Sequence, residues 1–177
     1  MSGKEEIRAR VKVAKSNHTP EELRLMSDIR MRQLEAHPRF LAAPVVLLFH
    51  SLPDEPCTHA LLERWKTRKT VLLPAVAGEH LTLHRYEGRE SLREGAFRIL
   101  EPAGPRFHDY TSIRLAVIPG VAFDASGHRV GRGRGFYDRL LALPGFSGVY
   151  KLGLCFDFQK FDSVPTDPHD ISVDEVL

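Results

Sequence analysis

Four short apolar runs punctuate this chain: VVLLF at 45–49, TVLLPAV at 70–76, RLAVIPG at 114–120 and KLGLCF at 151–156. Each is too short for a buried helix. Each carries bulky or β-branched residues at consecutive positions, the pattern of a strand covered on both faces. A helical stretch from Thr58 to Lys66 follows a proline-rich turn and separates the first two runs. Strand, helix, strand in that order calls for a crossover connection, so the expectation is an α/β chain whose central, mostly parallel sheet is flanked by helices. LTLHRY at 81–86 alternates like a more exposed strand, and GPRFHDYTS at 104–112 has the turn chemistry of a surface connection.

Two helices are expected ahead of the sheet. Ile7, Val11 and Ala14 recur on one face of the first, and Leu23, Met26, Arg30 and Leu34 on one face of the second. Thr19-Pro20-Glu21-Glu22 between them reads as an N-cap with proline at the first helical position. At 177 residues, with no long linker, repeat or low-complexity segment, the expectation is one domain over 1–177.

Hydrophobic residues make up 42% and charged residues 27%, which excludes a disordered chain. The net charge of +2 favours no polyanionic partner. Cys57 and Cys155 form neither a paired metal motif nor a disulfide framework, and MSGKEEIRARVK at the start lacks the apolar core of a signal peptide. The longest apolar run, 41–49, is far too short to span a bilayer. A cytoplasmic protein with no membrane role is expected.

The chemistry concentrates in GRGRGFYDR, 131–139, with glycines at alternate positions among arginines. It lies between the third apolar run, with its FDASG turn, and an expected amphipathic helix from Phe136 to Leu143. In that setting backbone N–H groups and a helix N-terminus hold phosphate, and glycine lets the main chain approach it. If Gly131–Gly135 is extended, Arg132 and Arg134 point to one side and need an anion between them, and Asp138 in the first helical turn could bind Mg²⁺. A solvated surface turn is the alternative, weakened by the crowding of Arg129, Arg132, Arg134 and Arg139. Lys4, Arg8, Lys12 and Lys15 form a second basic stripe at helical spacing, which by itself reads as a solvated face.

PGVAFDASGHRVGRGRGFYDRLL at 119–141 resembles the signature of the 5-formyltetrahydrofolate cyclo-ligase family, also called methenyltetrahydrofolate synthetases. The likeness extends to Lys4 and Arg8, HSLPDEPCT at 50–58, LLPAV, ILEP at 99–102, GLCFDFQ and the closing HDISVDEVL. It implies a fold like that of the sugar-phosphate isomerase and CoA-transferase group. It implies ATP- and Mg²⁺-dependent conversion of 5-formyltetrahydrofolate to 5,10-methenyltetrahydrofolate, with ADP and phosphate released through a phosphorylated formyl oxygen.

Position by position, the resemblance places Lys4, Arg8 and the loop Gly131, Arg132, Gly133, Arg134, Gly135, Phe136, Tyr137 and Asp138 on ATP, with Asp138 and Asp170 as metal carboxylates. It places Glu55 and His50 against the folate, and Glu55, Arg134 and Tyr137 in the catalytic group. On physical grounds alone, Tyr137 beside Phe136 reads equally as helix packing. Phe136, Arg132 and His50 depart from the residues common in the family. A monomer acting on folate and ATP, without nucleic acid, is expected. The rivals are an RNA-binding module using the basic stripes, or another small-molecule phosphotransferase on the same fold.

Overall fold

The computed structural model describes residues 3–177; Met1 and Ser2, part of the N-terminal stretch considered above, lie outside the described residues. Helices α1 (Gly3–Ser16) and α2 (Pro20–Ala36) open the chain. Thr19 closes a capping box between them: its hydroxyl accepts from the Glu22 N–H at 3.2 Å, and its own N–H donates to the Glu22 carboxylate at 2.7 Å. A five-residue helix α3 (Pro38–Ala42), which the periodicity did not announce, starts at a proline behind His37.

The remaining elements follow as β1 (Val45–Leu47), α4 (His59–Trp65), β2 (Thr70–Ala77), β3 (His80–Arg85), β4 (Leu92–Glu94), β5 (Leu100–Pro102), β6 (Arg106–Phe107), β7 (Leu115–Pro119), β8 (Ala122–Asp124) and β9 (Arg129–Val130). Then come α5 (Phe136–Leu141), β10 (Tyr150–Leu154), β11 (Lys160–Phe161) and β12 (Glu175–Val176). The main sheet has the order β12-β10-β7-β1-β2-β3-β6. It is parallel from β12 to β2, while β3 and β6 join antiparallel at one edge. The segment read as a surface connection thus contributes an edge strand, since β6 pairs antiparallel with the outer edge of β3 at Leu83 and His84.

Alternation along the inner strands explains why they read as unbroken apolar runs. Val46, Val71, Leu115 and Val117 enter a core with Leu34, Phe40 and Leu61, whereas Leu47, Leu72, Ala116 and Ile118 enter the opposite one with Phe123, Leu140 and Phe146. A third cluster docks α1 sideways: Ile7 and Val11 pack on Ala122, Val130 and Val164. That contact sets the position of the basic stripe, because it brings Arg8 of α1 against the segment following β9.

Candidate active site

The parallel strands β1, β7 and β10 all run the same way, so the loops leaving their C-terminal ends gather at one edge of the sheet, the edge where open α/β sheets bind ligands. These loops are residues 48–58, the segment through β8 and β9 to the glycine loop, and residues 155–170. All the site residues expected from sequence lie on them, on α1 or on the first turn of α5.

The glycine loop is not extended. Gly133 has φ +97° and Gly135 φ +66°, and this left-handed backbone cancels the alternation that would have put Arg132 and Arg134 on one side. Arg132 turns to the 48–58 loop, where Nη2 donates to Asp54 Oδ1 at 2.6 Å and Glu55 Oε1 at 3.0 Å. Arg134 instead lays its guanidinium 4.8 Å from the centre of the Phe97 ring. Phe97 is exposed and, like Arg98, has positive φ, an uncommon conformation for a side chain of that size.

α1 supports the loop from its other side. Arg8 Nε donates to the Gly131 carbonyl at 2.8 Å, and its guanidinium approaches Gly133 where a larger residue would place its Cβ. Lys4 Nζ bridges Asp167 and Asp170 at 2.7 and 2.5 Å, and Lys15 Nζ reaches Asp54 Oδ2 at 3.0 Å. Three members of the basic stripe are therefore tied to other elements, and only Lys12 keeps the character of a solvated cation.

Helix α5 ends at Leu141 and not Leu143, three residues before Pro144. Six residues make a weak macrodipole, so the anion-holding capacity of the site rests on loop N–H groups and cations more than on a helix terminus. Asp138 Oδ1 accepts from Arg129 Nη2 at 2.9 Å and from the Ile171 N–H at 3.1 Å, which puts it next to the segment carrying Asp170. Asp170 Oδ2 accepts from Lys4 and from the Asp167 N–H. Burial would raise the Asp170 carboxyl, but Lys4 and that N–H hold it below the usual carboxylate range.

Among the described residues no three His, Cys, Asp or Glu side chains converge as a metal cage. Asp138, bonded to the Ile171 N–H, and Asp170 beside Ile171 in sequence are oxygen donors of the kind Mg²⁺ takes when phosphate oxygens and water complete its shell. A second observation fits an anion here. Arg129 is buried, and its Nε is the one buried side-chain polar atom without a partner among the described residues. The Arg129 charge is paired with Asp138, but its Nε–H, close to the glycine-rich loop, is left without an acceptor.

In the 48–58 loop, Glu55 Oε2 accepts from the Leu52 N–H at 2.9 Å and its side chain is only 11% exposed. Burial raises its carboxyl above the usual range, against the pull of the Leu52 N–H and Arg132. The Tyr137 phenol is pushed up by burial and by the Glu55 carboxylate, so it stays a neutral donor. Its ring packs in the core beside Phe136 and lies 5.8 Å from the Arg129 guanidinium, which combines the packing and site readings. His50 stacks on His59 at 4.0 Å between ring centres; burial, then the charges of His59 and Arg89, lower it to about 4. It is an uncharged ring at neutral pH.

Sequence reasoning passed over Asp54, Asp167, Phe97 and the anchoring part of Arg129. Asp54 and Asp167 offered a signal, since each lies within three residues of an expected site carboxylate. Phe97 offered none, because its contact with Arg134 arises from strands β4 and β5 folding back as a separate hairpin.

These features define an α/β protein with a cationic glycine loop facing a carboxylate-bearing loop across the C-terminal edge of its sheet. The sequence model of the 5-formyltetrahydrofolate cyclo-ligase family matches residues 1–177, and the chain belongs to that family. It is 31% identical to the 5-formyltetrahydrofolate cyclo-ligase of Escherichia coli over 90% of this chain and 91% of that one. It is 27% identical to the mouse protein of the same name over 99% and 93%. The NMR structure of Aquifex aeolicus 5,10-methenyltetrahydrofolate synthetase superposes with a TM-score of 0.85 at 34% identity, covering 98% of this chain and 88% of that one. A 5,10-methenyltetrahydrofolate synthetase from Mycoplasma pneumoniae shares the fold, with a TM-score of 0.77 at 21% identity over 99% and 98%.

Proposed function

We propose that this chain is a 5-formyltetrahydrofolate cyclo-ligase, closing the N5-formyl group onto N10 to give 5,10-methenyltetrahydrofolate at the expense of ATP. The observation that carries the reading is the Arg132 bridge to Asp54 and Glu55, which ties the glycine loop to the loop that carries the buried Glu55 carboxylate.

Ring closure requires N10 to attack the formyl carbon while the formyl oxygen departs, and oxide is a poor leaving group. When bound, Mg-ATP supplies the phosphoryl group that turns this oxygen into part of a phosphate leaving group. The chain positions the partners and balances charge. Lys4, Arg8 and Arg134 supply cations around the loop, and the left-handed glycines let backbone N–H groups approach phosphate oxygens. Asp138 and Asp170 would hold the metal, with Arg129 orienting the first and Lys4 the second.

Glu55 orients the folate and, with its carboxyl raised by burial, suits taking the N10 proton as the ring closes. Tyr137 stays protonated beside it as a hydrogen-bond donor. His50, neutral and stacked on His59, gives a flat wall to the same loop. The residues fit a small-molecule enzyme acting as one domain, and among the described residues no helix is long and apolar enough to cross a membrane.

The test is to incubate the protein with 5-formyltetrahydrofolate and follow the methenyl absorbance with and without Mg-ATP. Product that appears only with both ATP and magnesium supports the reading. Absence of product from a folded, magnesium-supplied preparation overturns it.

A further inference from the structure

Asp54 stands between the two loops of the site and performs none of the steps above. Residues 52–55 form a closed turn: the Glu55 N–H donates to the Leu52 carbonyl at 3.0 Å, and Glu55 Oε2 accepts from the Leu52 N–H at 2.9 Å. The turn fixes one Glu55 oxygen and leaves Oε1 to Arg132. That guanidinium approaches through a single nitrogen, Nη2, which donates to Glu55 Oε1 at 3.0 Å and to Asp54 Oδ1 at 2.6 Å. Arg132 Nε and Nη1 have no partner among the described residues. The two carboxylates thus share one nitrogen, in place of the two-pronged grip that a guanidinium often takes on a single carboxylate.

Asp54 is better placed than Glu55 to hold that nitrogen. Its contact is the shorter, and its other oxygen accepts from Lys15 Nζ of α1 at 3.0 Å. Its side chain is 41% exposed against 11% for Glu55, so water shares in stabilising its charge. Burial would raise the Asp54 carboxyl, but Arg132 and Lys15 hold it below the usual range, and it stays an anion at neutral pH. The groups facing Glu55 are its own Leu52 N–H, Asp54 in the same loop, Arg132 from the glycine loop and Tyr137 of α5, with Lys15 of α1 acting through Asp54.

We propose that Asp54 is a positioning residue: anchored by Lys15, it holds Arg132 at one nitrogen, prevents the guanidinium from closing on Glu55 with two, and leaves the Glu55 carboxylate free to take the N10 proton. In that transfer the N10–H bond breaks, its electron pair stays on nitrogen, and the proton goes to Glu55. A guanidinium closed on Glu55 would occupy the lone pairs that the proton needs and make the carboxylate a weaker base. The role towards N10 rests on the proposed function; the hold on Arg132 does not.

The chain is labelled with ¹³C at the glutamate side-chain carboxyls, and the Glu55 resonance, identified by its loss in Glu55→Gln, is followed by NMR across pH without substrate. Asp54→Asn keeps an oxygen for Arg132 but leaves Glu55 as the only carboxylate on that nitrogen, so the Glu55 titration should move to lower pH than in the native chain. Arg132→Met removes the cation, and Lys15→Met leaves the Asp54 charge less neutralised, so each should move it to higher pH. A general loosening of the loop gives no reason for shifts of opposite sign. A Glu55 titration that Asp54→Asn leaves in place or moves upward overturns the proposal. Should Asp54→Asn fail to fold, an unmoved titration in Lys15→Met overturns it equally.

The acid limb of the kcat/KM profile for cyclisation should follow the Glu55 resonance in each variant, because the base must be ionised to act. On the plateau, kcat of Asp54→Asn should fall several-fold, as a less basic carboxylate accepts the proton more slowly. The expected NMR shifts with a stationary acid limb uphold the hold on Arg132 and overturn Glu55 as the proton acceptor. The same shifts in a chain that makes no methenyl product also uphold that hold, and overturn the proposed function instead.

Discussion

Arg132 and Glu55 stand 77 residues apart in the chain and 3.0 Å apart in space, guanidinium Nη2 to carboxylate Oε1. The same nitrogen holds Asp54 Oδ1, and Lys15 of α1 holds the other Asp54 oxygen. One charge network thus joins the first helix, the loop after β1 and the loop after β9. The proposed nucleotide and folate subsites are fixed relative to each other by side chains and not by continuous backbone.

Glu55→Gln keeps the shape of the side chain and removes its charge. Charged hydrogen bonds contribute about 1.5–3 kcal/mol each, so kcat/KM for 5-formyltetrahydrofolate should fall roughly ten- to hundredfold. ATP affinity by calorimetric titration should change little. Loss of ATP binding would show that Glu55 does not belong to a separate folate subsite.

Gly133→Ala forces a side chain onto φ +97°, with the Arg8 guanidinium 3.6 Å from the new Cβ. Left-handed backbone costs a non-glycine residue roughly 1–2 kcal/mol, and the loop relieves that strain by shifting. Nucleotide affinity should drop about tenfold, while the melting temperature moves little because the loop is exposed. Unchanged ATP titration in this variant would remove the loop from the phosphate site.

Asp138→Asn preserves an oxygen for Arg129 and Ile171 but removes the negative charge that a divalent cation needs. The half-saturating magnesium concentration in the cyclisation assay should rise several-fold. A superimposable magnesium titration would place the metal elsewhere, with Asp170 the next residue to change.

Asp124 tests the frame and not the chemistry. It is buried, and its carboxylate accepts from the N–H groups of Ser126, His128 and Val164 and from the His128 ring. Burial would raise this carboxyl, yet the Val164 N–H and His128 hold it below the usual range. Asp124→Ala leaves buried donors unpaired at a cost of about 1–3 kcal/mol, and the melting temperature should fall by about 2–12 °C. Because the folded-state pKa is depressed, this stabilisation is complete above the ordinary carboxylate pKa and lost as pH falls through the lower folded value. Calorimetry should find the gap between wild type and variant closing below about pH 4. A gap that stays constant into acid would mean that the charge of Asp124 is not what stabilises β8 and β9.

The inner strands were legible because burial on both faces forces apolar residues at every position, as in Val45–Leu47 and Leu115–Pro119. The α1–α2 boundary was legible because capping at Thr19 is chemistry between near neighbours. The glycine loop announced its left-handed backbone by composition, since glycine adopts the positive φ of Gly133 and Gly135 at the least cost. The path of that loop was not legible. Glycine permits many conformations and selects none, so the divergence of Arg132 and Arg134 waited on Asp54, Glu55 and Phe97 coming from elsewhere in the chain.

The small edge strands β6 and β9 were hidden for a related reason, as two residues carry no periodicity and acquire strand geometry only from the partner they meet. The sequence by itself determined the layered α/β architecture and the residue types at the site, because local periodicity and backbone freedom are properties of the chain alone. Only the tertiary structure decided which charges pair. Lys4 with Asp170 and Arg132 with Glu55 are contacts across more than seventy residues, and their energy depends on distances that no local pattern encodes.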